Sequence, residues 1–184
     1  MTVTFPIIAL ADGETADPQW FADITEAVND HQDAVDELGQ LTTSQTAYSF
    51  SPSSSVGTTA TAILTITSCV LKAGRAYSVE NIGGVYGSTA NEADFQLWKT
   101  STSGTQLGAF YRTPCSTIGI QRNCYGKVYM RRTTPSDLTF NLVLAVAAST
   151  GTVVHDAGAT IRPRSLVVTD IGPAANWPQA IDVT

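Results

Sequence analysis

Basic residues are missing from the first 71 positions of this 184-residue chain, although those positions contain nine of its 16 acidic residues. All ten Lys and Arg lie from Lys72 onward with the other seven acids, so the formal charge of −6 divides into −9 and +3. Such a break in charge indicates two parts with different tasks. A chain this acidic also lacks the basic surface that nucleic-acid binding requires.

Long apolar runs are lacking too, and no stretch approaches the ~20 residues of a membrane-spanning helix. No basic segment precedes the short apolar stretch at the start, so we expect no signal peptide, no membrane insertion, and synthesis and assembly in a cytoplasm. Cys69, Cys115 and Cys124 do not have metal-ligand spacing. In a reducing compartment three free thiols are expected, with a Cys115–Cys124 disulfide as the less favoured alternative.

Catalytic motifs are also missing, since the chain contains no GxSxG, HExxH, CxxC or phosphate-loop pattern. His155 and Asp156 are neighbours on a predicted strand and therefore point to opposite faces. The acids Glu80, Glu92 and Asp94 are better explained as solvated surface groups than as the facing carboxylates of a glycoside hydrolase. We expect no enzymatic activity, no cofactor and no metal site.

One helix is predicted, over residues 17–39. Asp17 followed by Pro18 is a typical helix start, and Gly39 is a typical stop. Six residues between them alternate at spacings of three and four, which makes them positions a and d of three heptads: Phe21, Ile24, Val28, His31, Val35 and Leu38. The acids of this helix fall at the outer positions b, c and f.

Two arrangements of this helix are compatible with its pattern. It could lie on the sheet of its own chain, or parallel copies could form a trimeric coiled coil. We favour the coiled coil, because a helix of about 20 residues is marginal alone and this one carries six acids and no base between residues 21 and 38. Copies of His31 would then meet on the axis, where a polar d residue fixes register and oligomeric state at some cost in stability.

The rest of the chain alternates like β-strands. Residues 40–58 are rich in Ser and Thr and are predicted to be a linker with one short strand near 47–51. The unbroken alternation from Leu138 to Val146 predicts a central strand. Turn signals predict two hairpins, one around TSTSGT (100–105) and one around TTPSD (133–137).

The predicted fold is therefore mainly β, with eight or nine short strands in a jelly-roll-like β-sandwich. The predicted divisions are an arm (1–16), an oligomerising helix (17–39), a linker (40–58), the sandwich (59–172) and a C-terminal arm (173–184). Within the sandwich, Trp98, Tyr111 and Tyr129 alternate with core positions. They are interpreted as core aromatics, with a glycan-stacking platform as the alternative.

Four segments resemble accessory virion proteins of tailed bacteriophages, particularly those of actinobacterial hosts. They are FPIIALADGETADPQWFADITEAVNDH (5–31), LKAGRAYSV (71–79), GTQLGAFYRTP (104–114) and RPRSLVVTDIGP (162–173). In that group a short ADG-containing lead-in precedes a helix and a β-rich head. The resemblance implies a virion structural protein of head-fibre, capsid-decoration or minor tail type, and it implies trimers. It supplies no catalytic residue.

The sequence thus predicts a homotrimer on the virion surface, held to phage capsid or tail proteins by its first 16 residues. The apolar part of this arm would be a liability if left free, and its anchoring residues are Phe5, Pro6, Ile7, Ile8 and Leu10. The alternative is a minor tail or fibre protein whose β head binds a host-surface glycan through Trp98, Tyr111 and Tyr129.

Overall fold

The computed structural model describes residues 44–89, 91–115, 121–157 and 163–184, together with Glu26 and Val28. The chain divides into two compact units, residues 1–40 and 41–184. In the first unit Glu26 and Val28 are helical and exposed. The other positions of the predicted seam and the predicted anchor lie outside the described residues: Phe21, Ile24, His31, Val35, Leu38, Phe5, Pro6, Ile7, Ile8 and Leu10.

The described part of the second unit, here called the head, is built from strands and one 3₁₀ turn at Ala174–Asn176. The strands are β1 (Ser44–Ser49), β2 (Thr61–Leu71), β3 (Arg75–Gly87), β4 (Asn91–Lys99), β5 (Thr105–Cys115), β6 (Arg122–Arg131), β7 (Leu138–Ala148), β8 (Val153–Asp156), β9 (Arg164–Pro173) and β10 (Ile181–Asp182). Among the described residues no helix has the length and hydropathy to cross a membrane.

Two sheets form the predicted β-sandwich. The larger sheet has the order β1-β9-β3-β6-β10, with β8 also paired to β3, and the smaller sheet has the order β2-β7-β4-β5. The chain passes repeatedly from one sheet to the other, and all pairs except β6–β10 are antiparallel. This is the arrangement of a jelly roll.

The core lies between the sheets and follows the alternation of the strands. β7 is central, between β2 and β4, as its pattern predicted. Its inward side chains Phe140, Leu142, Leu144 and Val146 are buried. The strands β2 and β4 place Leu64, Ile66, Phe95 and Leu97 in the same interior, and the larger sheet contributes Tyr77, Val79, Val85, Leu166 and Val168.

One predicted hairpin is present and the other is wrong. The strands β4 and β5 pair antiparallel around residues 100–104, as predicted. The strands β6 and β7 do not pair, because β6 lies beside β3 and β10 whereas β7 lies beside β2 and β4. The segment 133–137 therefore crosses between the sheets. Arg132 stabilises this crossing, since its Nε donates to the Ser136 carbonyl at 3.0 Å.

Both ends of the head lie on the larger sheet. The strand predicted near 47–51 is β1 (Ser44–Ser49), which pairs along its whole length with β9. At the other edge β10 pairs with β6, and Val183 beyond it is buried. Trp177 stacks on Tyr129 with ring centroids 4.8 Å apart. The C-terminal segment thus covers the β6 edge. The sequence also predicts a short strand over ATIRP (159–163), which lies outside the described residues except for Pro163.

A buried ion pair joins the start of β3 to the end of β9. The Arg75 guanidinium donates from Nη2 to Asp170 Oδ1 at 2.9 Å and from Nε to Oδ2 at 3.1 Å. Both residues are buried, and the Gly172 N–H also donates to Asp170 at 2.9 Å. Gly172 has φ 110°, which favours glycine at this point of the chain. The pair secures β3 against β9 beside the register shift between Ala76 and Tyr77.

We expect Arg75→Met to lower the free energy of unfolding by about 3–5 kcal/mol, because it leaves the Asp170 carboxylate buried without its partner. Chemical unfolding followed by circular dichroism measures the change. The double substitution Arg75→Met with Asp170→Leu should recover much of the loss, since no buried charge then remains.

The matched control is the exposed pair of Lys72 and Asp137, whose Nζ–Oδ2 distance is also short, at 2.8 Å. We expect Lys72→Met to change the unfolding transition very little, since solvent screens this pair. Equal effects of Arg75→Met and Lys72→Met would contradict the role assigned to the buried pair.

Candidate functional site

The three aromatics of the predicted glycan platform lie in three different places. Trp98 is on the outer side of the smaller sheet, since Phe95 and Leu97 of the same strand point inward. Tyr111 packs inside against Phe95, with ring centroids 5.8 Å apart. Tyr129 is exposed on the outer side of the larger sheet. The structure therefore does not bring these three side chains together.

The three acids considered in the sequence are separated as well. Glu80 lies on β3 in the larger sheet and pairs with Lys127 of β6 at 2.8 Å. Glu92 and Asp94 lie on β4 in the smaller sheet. Glu92 reaches Arg112 at 3.9 Å, where both side chains are well exposed. Glu80 thus belongs to a different sheet from the other two.

The three cysteines are free thiols, as expected, and all are buried. Burial raises the pKa of Cys69 to about 12 and that of Cys124 to about 11, because desolvation disfavours the thiolate. Burial likewise raises the pKa of Cys115 and of Tyr111, whose hydroxyl lies beside Cys124. Since the thiolate is the reactive form of cysteine, these thiols are poor nucleophiles.

His155 on β8 is fully buried between the sheets. Its ring meets Phe95 edge-on, with centroids 5.2 Å apart. Gly83 leaves the space for it, since a Cβ at Gly83 would overlap with His155 Nε2. Neither ring nitrogen has a hydrogen-bond partner among the described residues, and the same holds for the buried amide of Asn81. Burial, with a smaller contribution from Arg164, lowers the pKa of His155 to about 3.

This low pKa predicts that His155 makes the head sensitive to acid. The unfolded chain binds a proton at His155 below its ordinary pKa of about 6.5, whereas the folded chain does so only near pH 3. Stability should therefore fall as the pH drops through this window. His155→Leu should make the dependence of the unfolding free energy on pH shallower by up to about 1.4 kcal/mol per pH unit.

Chemical unfolding at a series of pH values between 7 and 4 measures this slope. Val153→Ala is the matched control, because Val153 is equally buried on β8 but does not titrate. It should lower stability at every pH without changing the slope. An unchanged slope in His155→Leu would show that this imidazole is already charged or solvated in the folded protein.

The outer side of the larger sheet carries a cluster of exposed apolar side chains. Every large apolar side chain that is exposed in the described part of the head lies on this side. We call the group the aromatic face, and its members are Tyr48, Phe50, Ile82, Tyr125 and Tyr129. The most exposed are Tyr48 at 63% and Tyr125 at 57%. Phe50 follows β1 directly and contacts Tyr48 edge-on at 5.7 Å between centroids.

Strand register arranges this face in rows across β1, β9, β3 and β6. The first row is Tyr48, Ser165, Ile82 and Tyr125, the second is Thr46, Val167, Glu80 and Lys127, and the third is Ser44, Thr169, Ser78 and Tyr129. Eight of these twelve side chains carry a hydroxyl group. The only charges among the twelve are those of the Glu80–Lys127 pair. The face thus combines aromatic rings, hydroxyl groups and no net charge.

Sequence reasoning found one member of this face, Tyr129, and missed the others. Tyr48 and Phe50 lie in the Ser/Thr-rich segment that was predicted to be mainly linker. Tyr125 lies just before KVYMRR (127–132), which the sequence predicts as the strand that enters the TTPSD turn. The pattern that could have predicted this face is the spacing of Tyr125, Lys127 and Tyr129 at every second residue, which places them on the same side of one strand. Nothing in the linear sequence shows that Tyr48 shares a row with Tyr125.

No family model and no curated protein matches the sequence. Among solved structures, the chain is similar to the Gt strain of infectious bursal disease virus at 16% identity and a TM-score of 0.43, covering 76% of this chain and 35% of that one. The VP2 subviral particle of the same virus is similar at 14% identity and a TM-score of 0.43, and the match covers 76% of this chain and 34% of that one. The chain thus spans about a third of the length of these viral chains.

A third similar structure is the C-terminal CBM6 of LamC, a marine laminarinase from Zobellia galactanivorans. It has 12% identity and a TM-score of 0.30, and the match covers 72% of this chain and 95% of that one. With TM-scores below 0.5, none of these likenesses indicates a shared family or function.

Proposed function

We propose that the protein is a structural component of a tailed-phage virion, a trimeric decoration or head-fibre protein that displays its jelly-roll head on the particle surface. One observation carries this proposal. The boundary between the two compact units, after Gln40, lies at the start of the uncharged stretch between Glu37 and Lys72, so it separates the acidic part of the chain from all of the bases. The first unit has nine acids and no base, whereas the second has seven acids and ten bases. An acidic unit with a predicted helix, joined in the same chain to a β head, suits oligomerisation and attachment.

Three of the four segments that resemble phage virion proteins occupy structural positions in the head. Residues 71–79 run through the turn into β3, and residues 162–173 include β9. Arg75 of the first and Asp170 of the second form the buried ion pair, to which Gly172 also contributes. Residues 104–114 form most of β5. In the head the resemblance thus includes residues that stabilise the sandwich, which is compatible with a structural role.

In this proposal each part of the chain has a separate task. Residues 1–16 dock on a capsid or tail protein through their apolar patch, and residues 17–39 form the coiled coil. Val28, at position a, is helical with 49% of its surface exposed in the single chain, so it is available to a partner helix. Glu26, at position f, is also exposed. These two residues offer a matched test of the seam.

We expect the full-length protein to sediment as three chains and Val28→Asp to sediment as one, because three carboxylates in a shared apolar seam would repel one another. Glu26→Lys should remain a trimer, since position f faces solvent. Analytical ultracentrifugation at micromolar concentration distinguishes these outcomes. The melting transition of the head should persist in both variants.

A monomeric wild-type protein would contradict the trimer, and a trimeric Val28→Asp would place its interface elsewhere. If Glu26→Lys alone dissociated the protein, the helix would associate through the face opposite to the proposed seam.

We further expect that deletion of residues 1–16 yields a trimer that no longer joins virions. The matched pair for this test is Ile7→Asp with Ile8→Asp, inside the apolar patch, against Thr2→Asp with Thr4→Asp beside it. The first pair should abolish incorporation, because carboxylates cannot be buried in an apolar contact without a partner. Quantitative mass spectrometry of purified particles measures the copies per virion. Full incorporation of the deletion variant would locate the anchor elsewhere in the chain.

A further inference from the structure

We propose that the aromatic face is a binding site for a neutral saccharide chain. This inference goes beyond the structural role proposed above and does not depend on where the protein sits on a particle. The site consists of the first two rows of the face, with the rings of Tyr48 and Tyr125 at its ends. Ser165 and Ile82 lie between them in the first row, and the Glu80–Lys127 pair lies in the second row.

The chemistry of the exposed groups matches that of a sugar. A pyranose presents an apolar C–H surface that stacks on an aromatic ring and a rim of hydroxyl groups that donate and accept hydrogen bonds. Tyr48 and Tyr125 present exposed rings that also carry a hydroxyl group. Thr46 and Ser165 add hydroxyls between them, and Glu80 and Lys127 supply an acceptor and a donor.

The charge of the face indicates that the saccharide is neutral. Glu80 and Lys127 neutralise each other at 2.8 Å, and Lys127 Nζ also lies 5.6 Å from the centre of the Tyr129 ring. An anionic polymer would need cations free to pair with it. Along these rows the structure describes no cation besides Lys127.

The composition argues against a second copy of the chain as the occupant. The cores of protein–protein interfaces are depleted of Ser, Lys and Glu, and Ser, Thr and Val are under-represented among their energetic anchors. Such residues occupy most positions between the rings here, for example Ser165, Thr46 and Val167. The rings are therefore separated rather than joined into one apolar core.

The spacing of the rings indicates that the ligand is longer than one sugar. Tyr48 and Tyr125 lie in one row, separated by β9 and β3. Three strand spacings place them about 14 Å apart across the sheet. A single sugar cannot contact both rings, whereas a chain of several units lying across the strands can.

Native affinity electrophoresis of the full-length protein tests this inference. Arabinogalactan, mannan and laminarin serve as neutral probes, and heparin serves as the anionic control. We expect at least one neutral polysaccharide to retard the protein and heparin not to. Tyr48→Ala and Tyr125→Ala should each weaken retardation by about tenfold, because each removes one stacking surface. Both rings are exposed, so the melting temperature should stay close to that of the wild type.

Trp98→Ala is the matched control, because it removes an aromatic side chain from the outer side of the other sheet. It should leave retardation unchanged. The inference is overturned if no neutral polysaccharide retards the protein, if only heparin does, or if Trp98→Ala matters more than Tyr48→Ala and Tyr125→Ala. It is also overturned if Tyr125→Ala changes the sedimentation of the protein, because the face would then be an interface between copies. The failure of neutral polysaccharides to retard the protein would leave the coiled coil and the anchoring arm unaffected.

Discussion

The register of β3 is the constraint on which both surfaces of the head depend. This strand pairs with β6 on one side and with β9 and β8 on the other. Its inward residues include Val79 and Val85, and its outward residues include Glu80 and Ile82. A slip of one residue would exchange the two sets. The pair of Arg75 and Asp170 opposes such a slip, because each charged group needs the other in the interior.

Burial makes the titratable groups inside the head unreactive, whereas polar and aromatic groups on its outer side remain accessible to solvent. Burial keeps His155 neutral and the thiols protonated, so the residues most capable of reaction serve as packing groups. Buried arginines donate hydrogen bonds to backbone carbonyls of distant segments. Arg132 donates to Val183 at 2.8 Å, and Arg164 donates to Ile63 at 2.7 Å. What remains for recognition is the outer side of the larger sheet, where rings and hydroxyl groups face solvent.

Local patterns predicted the strands well and their partners only in part. The alternation of Leu138 to Val146 predicted a central strand, and TSTSGT predicted a hairpin; both are present. TTPSD also predicted a hairpin, but it crosses between sheets. A turn signal reports only that the chain changes direction. Whether the next strand pairs with the previous one or packs over it in the other sheet depends on distant strands. Here β6 pairs with β3, and β7 pairs with β2.

The sequence by itself determined the all-β character of the head, its alternating core and the charge break between Glu37 and Lys72, because each follows from the order of residues along the chain. The free thiols were expected from the reducing compartment predicted for the chain. Only the tertiary structure decided that Arg75 meets Asp170, that Tyr111 packs inside while Tyr129 is exposed, and that Tyr48 shares a row with Tyr125. Those contacts join residues far apart in the chain. Strand parity assigns a side chain to one of two faces, but the packing of the two sheets decides which face is buried.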